Sequence, residues 1–165
     1  MTVISHQTHA LSINPANGEQ IGHYAYEDDA ALDAALARAA AGYAVWRRTP
    51  LDSRVSQLRA LGAALRDNAE AMALMITDEM GKPIAQARGE IEKCAQLCDW
   101  YAEAGPAMLA PEPAPVPVGK ARIEYRPLGP LLAVMPWNFP IWQVLRGAVP
   151  ALVGRDTHLA QDAPR

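Results

Sequence analysis

The segment PLLAVMPWNFPIWQVLRGAVPALV, Pro130 to Val153, decides how the rest of the chain is read. Leu131 to Met135 is a short, uniformly apolar run, the composition of a buried parallel strand. Pro136 and Pro140 then break the run on either side of Trp137, Asn138 and Phe139. Pro140 stands where a helix can begin, because its fixed φ suits the first turn and its missing N–H has no partner to lose there. Ile141 to Val153 supplies the helix body until Pro150 kinks or ends it. The passage is therefore strand, turn, helix, and in open parallel sheets the turn at the carboxyl end of a strand is where ligands bind. Set in this apolar text are an amide, Asn138, and a guanidinium, Arg146. A buried amide left unpaired costs about 1–3 kcal/mol and a buried charge more, so each is expected to hold something.

Working outward, Ala121 to Arg126 alternates apolar and charged residues, as a half-exposed edge strand does, and Thr157 to Ala160 reads as the start of the next strand. Before Ala121 lies APEPAPVPVGK, Ala110 to Lys120, whose alternate prolines forbid a helix and favour an extended, polyproline-like connector. It is the clearest internal boundary. Upstream of it the text is helical. Asp28 and Asp29 can cap a helix reaching Trp46, and Leu51 to Asp67 places Val55, Leu58, Leu61, Ala64 and Leu65 on one face. Asn68 can cap a third helix that Gly81 stops, and Pro83 opens a fourth, from Ile84 to about Met108. The N-terminal INPANGEQIG, Ile13 to Gly22, has the composition of a hairpin turn between two strands.

Cys94 and Cys98 lie four apart inside the fourth helical pattern, on one face with Leu97 and Tyr101. That spacing matches neither a disulfide framework nor a zinc site, so no metal ligands are assigned. Buried packing is the ordinary reading of such thiols. The competing reading, a nucleophile, has neither a His nearby in sequence nor a helix start to lower the thiol pKa. A chain of 165 residues that is 50% apolar can bury a sizeable core. A net charge of −3 with scattered Lys and Arg offers no footprint for nucleic acid. The N-terminal MTVISHQTHALSINP lacks signal-peptide character, and no apolar run reaches the roughly 18 residues that span a bilayer. The expectation is a cytoplasmic chain with no membrane partner.

Three segments, NPANGEQIG (Asn14 to Gly22), EMGKPIAQARGEI (Glu79 to Ile91) and RPLGPLLAVMPWNFPIWQVLRGAVPAL (Arg126 to Leu152), carry a resemblance in their order and intervals. Together they resemble the N-terminal third of an NAD(P)-dependent aldehyde dehydrogenase, and within that superfamily the succinate-semialdehyde dehydrogenase group. The resemblance implies an α/β fold: N-terminal helices plus the first strand–helix unit of a truncated doubly wound parallel sheet, with an oligomerisation-type hairpin around Gly119 to Gly129. It divides one domain into a hairpin and helical part (1–110), a connector and arm strand (111–127) and the start of the cofactor-binding sheet (128–165). The implied partners are a small aldehyde, succinate semialdehyde among them, NAD or NADP, and further copies of the same subunit.

In that family a cysteine thiolate adds to the aldehyde, the resulting oxyanion expels hydride to the nicotinamide, and water hydrolyses the thioester. Asn138 matches the family's side-chain donor to the oxyanion; the alternative is an Asn that caps the helix starting near Pro140. Met135, Pro136 and Trp137, with Asn138, match positions that line the cofactor site. Arg146, about two turns further along the helix, matches an Arg that grips the substrate carboxylate; the alternative is a surface Arg snorkelling from an apolar helix. Asp156 stands where the family carries Asn, and Gln161 where it carries a ribose-binding Lys. The family's nucleophilic Cys and the Glu that activates water match positions beyond Arg165, so the chain alone is expected to be inactive. Two functions follow from this: an oxidoreductase seen as an N-terminal fragment, or a truncated, non-catalytic remnant acting as an assembly or interaction module.

Overall fold

The computed structural model describes residues 9–162. The first eight residues, on which the signal-peptide reading partly rests, and the Gln161 side chain lie outside the described part. The chain opens with an antiparallel hairpin, β1 (His9–Ile13) and β2 (Gln20–Ala25). Two asparagines build its turn: Asn14 Oδ1 accepts from Ala16 N at 2.9 Å and Asn17 Oδ1 from Glu19 N at 3.0 Å. Such local side-chain bonding replaces a missing backbone partner and makes Asn a turn residue.

Helix α1 (Asp29–Trp46) starts where expected, with Asp28 Oδ1 accepting from Ala31 N at 2.7 Å. Helix α2 (Leu51–Asp67) buries Val55, Leu58 and Leu65, half-buries Leu61 and leaves Ala64 at the edge of the stripe exposed. Helix α3 (Ala69–Met80) follows, but Asn68 does not cap it. An N-cap needs an extended backbone; Asn68 has φ −105° and ψ 10°, and its Nδ2 donates backward to Ala64 O at 2.8 Å. The residue therefore closes α2. Gly81 ends α3 at φ 70°, a left-handed conformation that strains any residue with a Cβ. After Pro83 comes the long helix α4 (Ile84–Met108).

The proline-rich segment is more than a linker. Its residues form β3 (Glu112–Ala114), antiparallel to β4 (Ala121–Ile123). Pro113 is tolerated because both strands are edges, where a missing donor costs no ladder bond. β4 ends at Ile123, short of the expected Arg126, and all three of its residues are exposed instead of alternating.

β5 (Pro130–Met135) leads into α5 (Pro140–Val153), which returns the chain to β6 (Thr157–Asp162). β5 and β6 are parallel, in register from Pro130↔Thr157 to Met135↔Asp162, which completes one strand–helix–strand unit of a mixed α/β fold. The expected burial of β5 on both faces is not found: Leu132 and Val134 are 62% and 57% exposed, while α1 and α5 pack on the strand pair. Apolar text alone does not say how many faces a neighbour will cover. Pro150 does not end α5 either. The helix runs through it because Val149, Ala151 and Val153 are buried and side chains from elsewhere hold its last carbonyls. Trp46 Nε1 donates to Leu152 O at 2.8 Å, and the buried Arg54 donates through Nε to Val153 O at 3.2 Å.

Helix α4 is the centre of the core and packs against α2, α3 and α5. Ile91, Cys94 and Cys98 are fully buried, together with Leu58 and Ala73 from α2 and α3 and Val149 from α5. Full burial of each Leu, Ile or Val contributes about 1.5–3 kcal/mol relative to exposure. At Gly105 the approach of α4 to α5 is so close that a Cβ would sit 2.9 Å from Val153 Cγ2.

Candidate active site

The turn between β5 and α5 is held from outside. Pro136 interrupts the strand and Pro140 occupies the first turn of α5, whose N-cap residue, Phe139, makes no side-chain cap bond. The free N–H groups at a helix start must find acceptors. Ile141 N and Trp142 N both donate to Glu90 Oε1, each at 3.0 Å. Glu90 reaches them from the second turn of α4 and is itself 4% exposed. Its other oxygen, Oε2, forms a buried ion pair with Lys82, the residue between Gly81 and Pro83. Lys82 Nζ also donates to Asn138 O at 3.2 Å and lies 3.7 Å from the centre of the Phe139 ring. A buried charge pair costs little only when its remaining hydrogen-bonding positions are filled, and here they are filled by the turn.

Met135 is half-buried at the end of β5, and Pro136, Trp137 and Asn138 are exposed on the turn. The backbone of Asn138 is anchored through its carbonyl, while its side chain makes no hydrogen bond with any described residue. It does not cap α5. Arg146 is exposed on α5 and forms no ion pair among the described residues. Among the described residues neither group is buried: both face solvent. Asn138 lies just before α5 and Arg146 within it, and no hydrogen bond joins the two among the described residues.

Two further features shape the neighbourhood. Lys93 Nζ lies 3.7 Å from the Trp142 ring, and Trp142 is one helical turn before Arg146, so this face of α5 carries two cations. Beside the turn, Met72, Met75, Ile76, Met80, Trp137 and Ile141, with Glu79 at one side, line a mostly apolar groove of about 170 Å³. Gly147 lets α5 lie close on the strand pair, since a Cβ there would come within 3.1 Å of His158 Nε2. Burial holds the His158 imidazole below its ordinary pKa. Asp156, where an Asn was expected, accepts from Gly129 N at 2.7 Å, a bond that either residue can make through its side-chain oxygen.

Both cysteines are free thiols, fully buried in the core. Burial first, then the neighbouring Glu90 carboxylate, pushes the Cys94 thiol up to about 12, and burial followed by the Asp99 carboxylate pushes Cys98 up to about 11. A thiolate is the nucleophile, and neither site stabilises one. No group of His, Cys, Asp and Glu among the described residues can hold a metal ion. The parallel strand ends, with Met135 half-buried and Trp137 exposed beside them, do fit the edge of a nucleotide site built from backbone and apolar contacts.

The aldehyde dehydrogenase family model matches residues 3–161, nearly the whole chain. The chain belongs to the aldehyde dehydrogenase family. It is 55% identical over 161 residues to the succinate semialdehyde dehydrogenase (NAD(P)+) Sad of Escherichia coli K12, a match covering 98% of this chain and 35% of that protein. It is 43% identical over 155 residues to succinate-semialdehyde dehydrogenase (NADP(+)) 1 of Mycobacterium bovis, covering 92% and 34% of the two chains. The structure superposes on the succinic semialdehyde dehydrogenase of Streptococcus pyogenes, solved in complex with NADP+, with a TM-score of 0.88 at 30% identity, over 93% of this chain and 34% of that one. The chain thus spans about 35% of the length of the E. coli relative. No described helix is long and apolar enough to cross a membrane.

Within this aldehyde dehydrogenase segment, sequence reasoning missed Lys82, Glu90 and Lys93. A signal was present for two of them. Glu90 lies four residues before Cys94 and three after Ala87, on the buried stripe of α4, where a carboxylate is out of place unless it serves something. Lys82 stands between a helix-ending Gly and a Pro, where the backbone is fixed, and is buried. What they serve lies about fifty residues downstream and is visible only in the fold.

Proposed function

We propose that this chain is the part of an NAD(P)-dependent succinate-semialdehyde dehydrogenase that supplies the side-chain donor to the oxyanion and the cation that recognises the substrate carboxylate. The observation that carries the reading is Asn138: its backbone is fixed by Lys82 while its NH2 group is unspent, at the carboxyl end of a parallel strand. A neutral amide held in place donates to a developing oxyanion without a change of charge or a reorganisation step. Arg146, two turns along α5, offers two parallel N–H groups to a carboxylate. A nicotinamide cofactor, when bound, accepts the hydride, and Met135, Pro136 and Trp137 are the residues that would flank it. The E. coli and M. bovis relatives support the substrate assignment by their names.

The nucleophile belongs to the part of the family domain that this chain does not match. We assign residues 1–110 to the hairpin and helical part, 111–127 to a connector and arm, and 128–165 to the start of the cofactor-binding sheet. The alternative, a non-catalytic assembly module, is favoured by one feature, the fully exposed strand β4 in its two-stranded ribbon. An edge of that kind pairs readily with another subunit.

The test joins this chain to the remaining two thirds of the E. coli relative and follows NAD(P)H formation. Asn138→Ala is expected to lower kcat by about 10²–10³-fold with little change in KM, the usual result of deleting an oxyanion donor. Arg146→Gln is expected to weaken use of succinate semialdehyde by about 1.5–3 kcal/mol, mainly through KM, while a neutral aldehyde of similar length is spared. An unchanged kcat for the first variant, or equal losses on both aldehydes for the second, rejects the corresponding role. A fusion that assembles but never turns over leaves the assembly reading in possession.

A further inference from the structure

We propose that Lys82 and Glu90 are positioning residues for the Asn138 turn: a buried ion pair that fixes the direction of the Asn138 side chain while leaving its amide free. The proposal rests on the reading of Asn138 as an oxyanion donor. Of the five residues from Asn138 to Trp142, four are touched by the pair. Lys82 takes the carbonyl of Asn138 and the ring face of Phe139, and Glu90 takes the N–H groups of Ile141 and Trp142. The fifth, Pro140, has no N–H to offer.

Helix capping alone does not explain the arrangement. A Ser, Thr or Asp at position 139 would cap α5 locally, without burying two charges. The chain instead has Phe139, and takes its cap from the centre of the core, between the fully buried Ala87 and Ile91. The direction of the Asn138 side chain is thereby referred to α4, which packs against α2, α3 and α5 in the core. Donors that stabilise a developing charge work because they are oriented before it appears, and this support supplies the orientation.

The two charges are also needed together. Glu90 by itself would place a negative charge at the turn where an oxyanion is to form; Lys82 offsets it. Removing Lys82 alone should therefore harm the site more than removing both charges. No local cap would show that sign.

The first measurement uses the 165-residue chain. Amide exchange and backbone 15N relaxation are recorded for the unaltered chain, Glu90→Gln, Lys82→Met, the double variant and Lys82→Arg. In Glu90→Gln and Lys82→Met the Ile141 and Trp142 amides are expected to exchange at least about tenfold faster, and the order parameter from 138 to 142 to fall from about 0.85 toward 0.6, with α2 and α4 protected as before. Lys82→Arg should restore most of the order. Unchanged exchange at the two amides overturns the proposal. Loss of protection throughout also overturns it, because the pair is then a determinant of the whole fold.

These readouts involve no turnover, so they stand whether or not Asn138 proves to be a donor, which Asn138→Ala decides separately. With that role upheld, Glu90→Gln in the fused enzyme should lower kcat by about 10–100-fold, the usual result of displacing a reacting geometry, with KM little moved. The double variant should recover part of what Lys82→Met loses. A double variant no better than Lys82→Met, or a kcat untouched by Glu90→Gln, rejects the positioning role.

Discussion

Helices α2 to α5 and the three strand pairs are written in similarly apolar text and end in opposite states. The helices bury Leu58, Ile91, Val149 and both cysteines in one core. The strands leave Leu11, Ile21, Ile123, Leu132 and Val134 about half or more exposed. The difference lies in what each element meets. α4 has helices on several sides, whereas among the described residues each strand pairs with a single strand. Hydrophobicity is a property of the residue; burial is a property of its neighbours.

The comparison can be broken most directly in the core. Ile91→Ala is expected to destabilise the chain by about 2–5 kcal/mol, the cost of lost contacts plus a cavity, read from urea or thermal melts. A loss below about 0.5 kcal/mol would mean that the helical body is not the seat of stability.

The core thiols provide a second test. In the unfolded chain a thiol ionises near pH 8.5, whereas the folded core holds Cys94 and Cys98 at about 12 and 11. Their contribution is thus complete below about pH 8.5 and falls as pH rises toward the folded values, by up to about 1.4 kcal/mol per pH unit for each thiol. Replacing both cysteines with Ala should flatten that alkaline decline, and an equally steep decline in the double variant would place its origin elsewhere.

Two glycines sharpen the contrast. Gly105→Ala forces a methyl against Val153 and should cost about 1–3 kcal/mol. Gly42, inside the peripheral helix α1 with nothing within 4 Å of an added Cβ, should gain about 0.5–1 kcal/mol on the same change. Losses of similar size at both positions would erase the distinction between the two helices. The smallest expected effect is on the strand side. Leu132→Ser should alter stability by no more than about 0.5 kcal/mol, while reducing the binding of a hydrophobic dye such as ANS. A large loss would show that the exposed face of β5 has a role in the fold after all.

Where a structural decision is made within a few residues, the sequence was legible. Asp28, Gly81, Pro83 and Pro140 each mark a helix boundary that the structure keeps, because a cap or a forbidden donor acts locally. Asn68 misled because the same side chain can serve the helix behind it as well as the one ahead. Pro150 does not end α5, because buried neighbours carry the helix past it, and among the described residues the second face of β5 finds no cover. The strand, turn and helix around Asn138 were readable from two prolines. Their support was not, since Lys82 and Glu90 reach that turn across about fifty residues of chain.

Helix α5 holds the candidate site yet takes its N-terminal cap from another helix. Its first N–H groups end on Glu90 from α4, and its last two carbonyls accept from Trp46 of α1 and Arg54 of α2, while the backbone that follows closes the carbonyls before them. All three of those residues precede it in the chain. A ribosome therefore releases the sockets before the part that fits them, and elements made first have the chance to fold first. The Asn138 turn is set in order only when a finished helical body is there to receive it, so a nascent chain that has not yet built that body has no ordered Asn138 turn to expose.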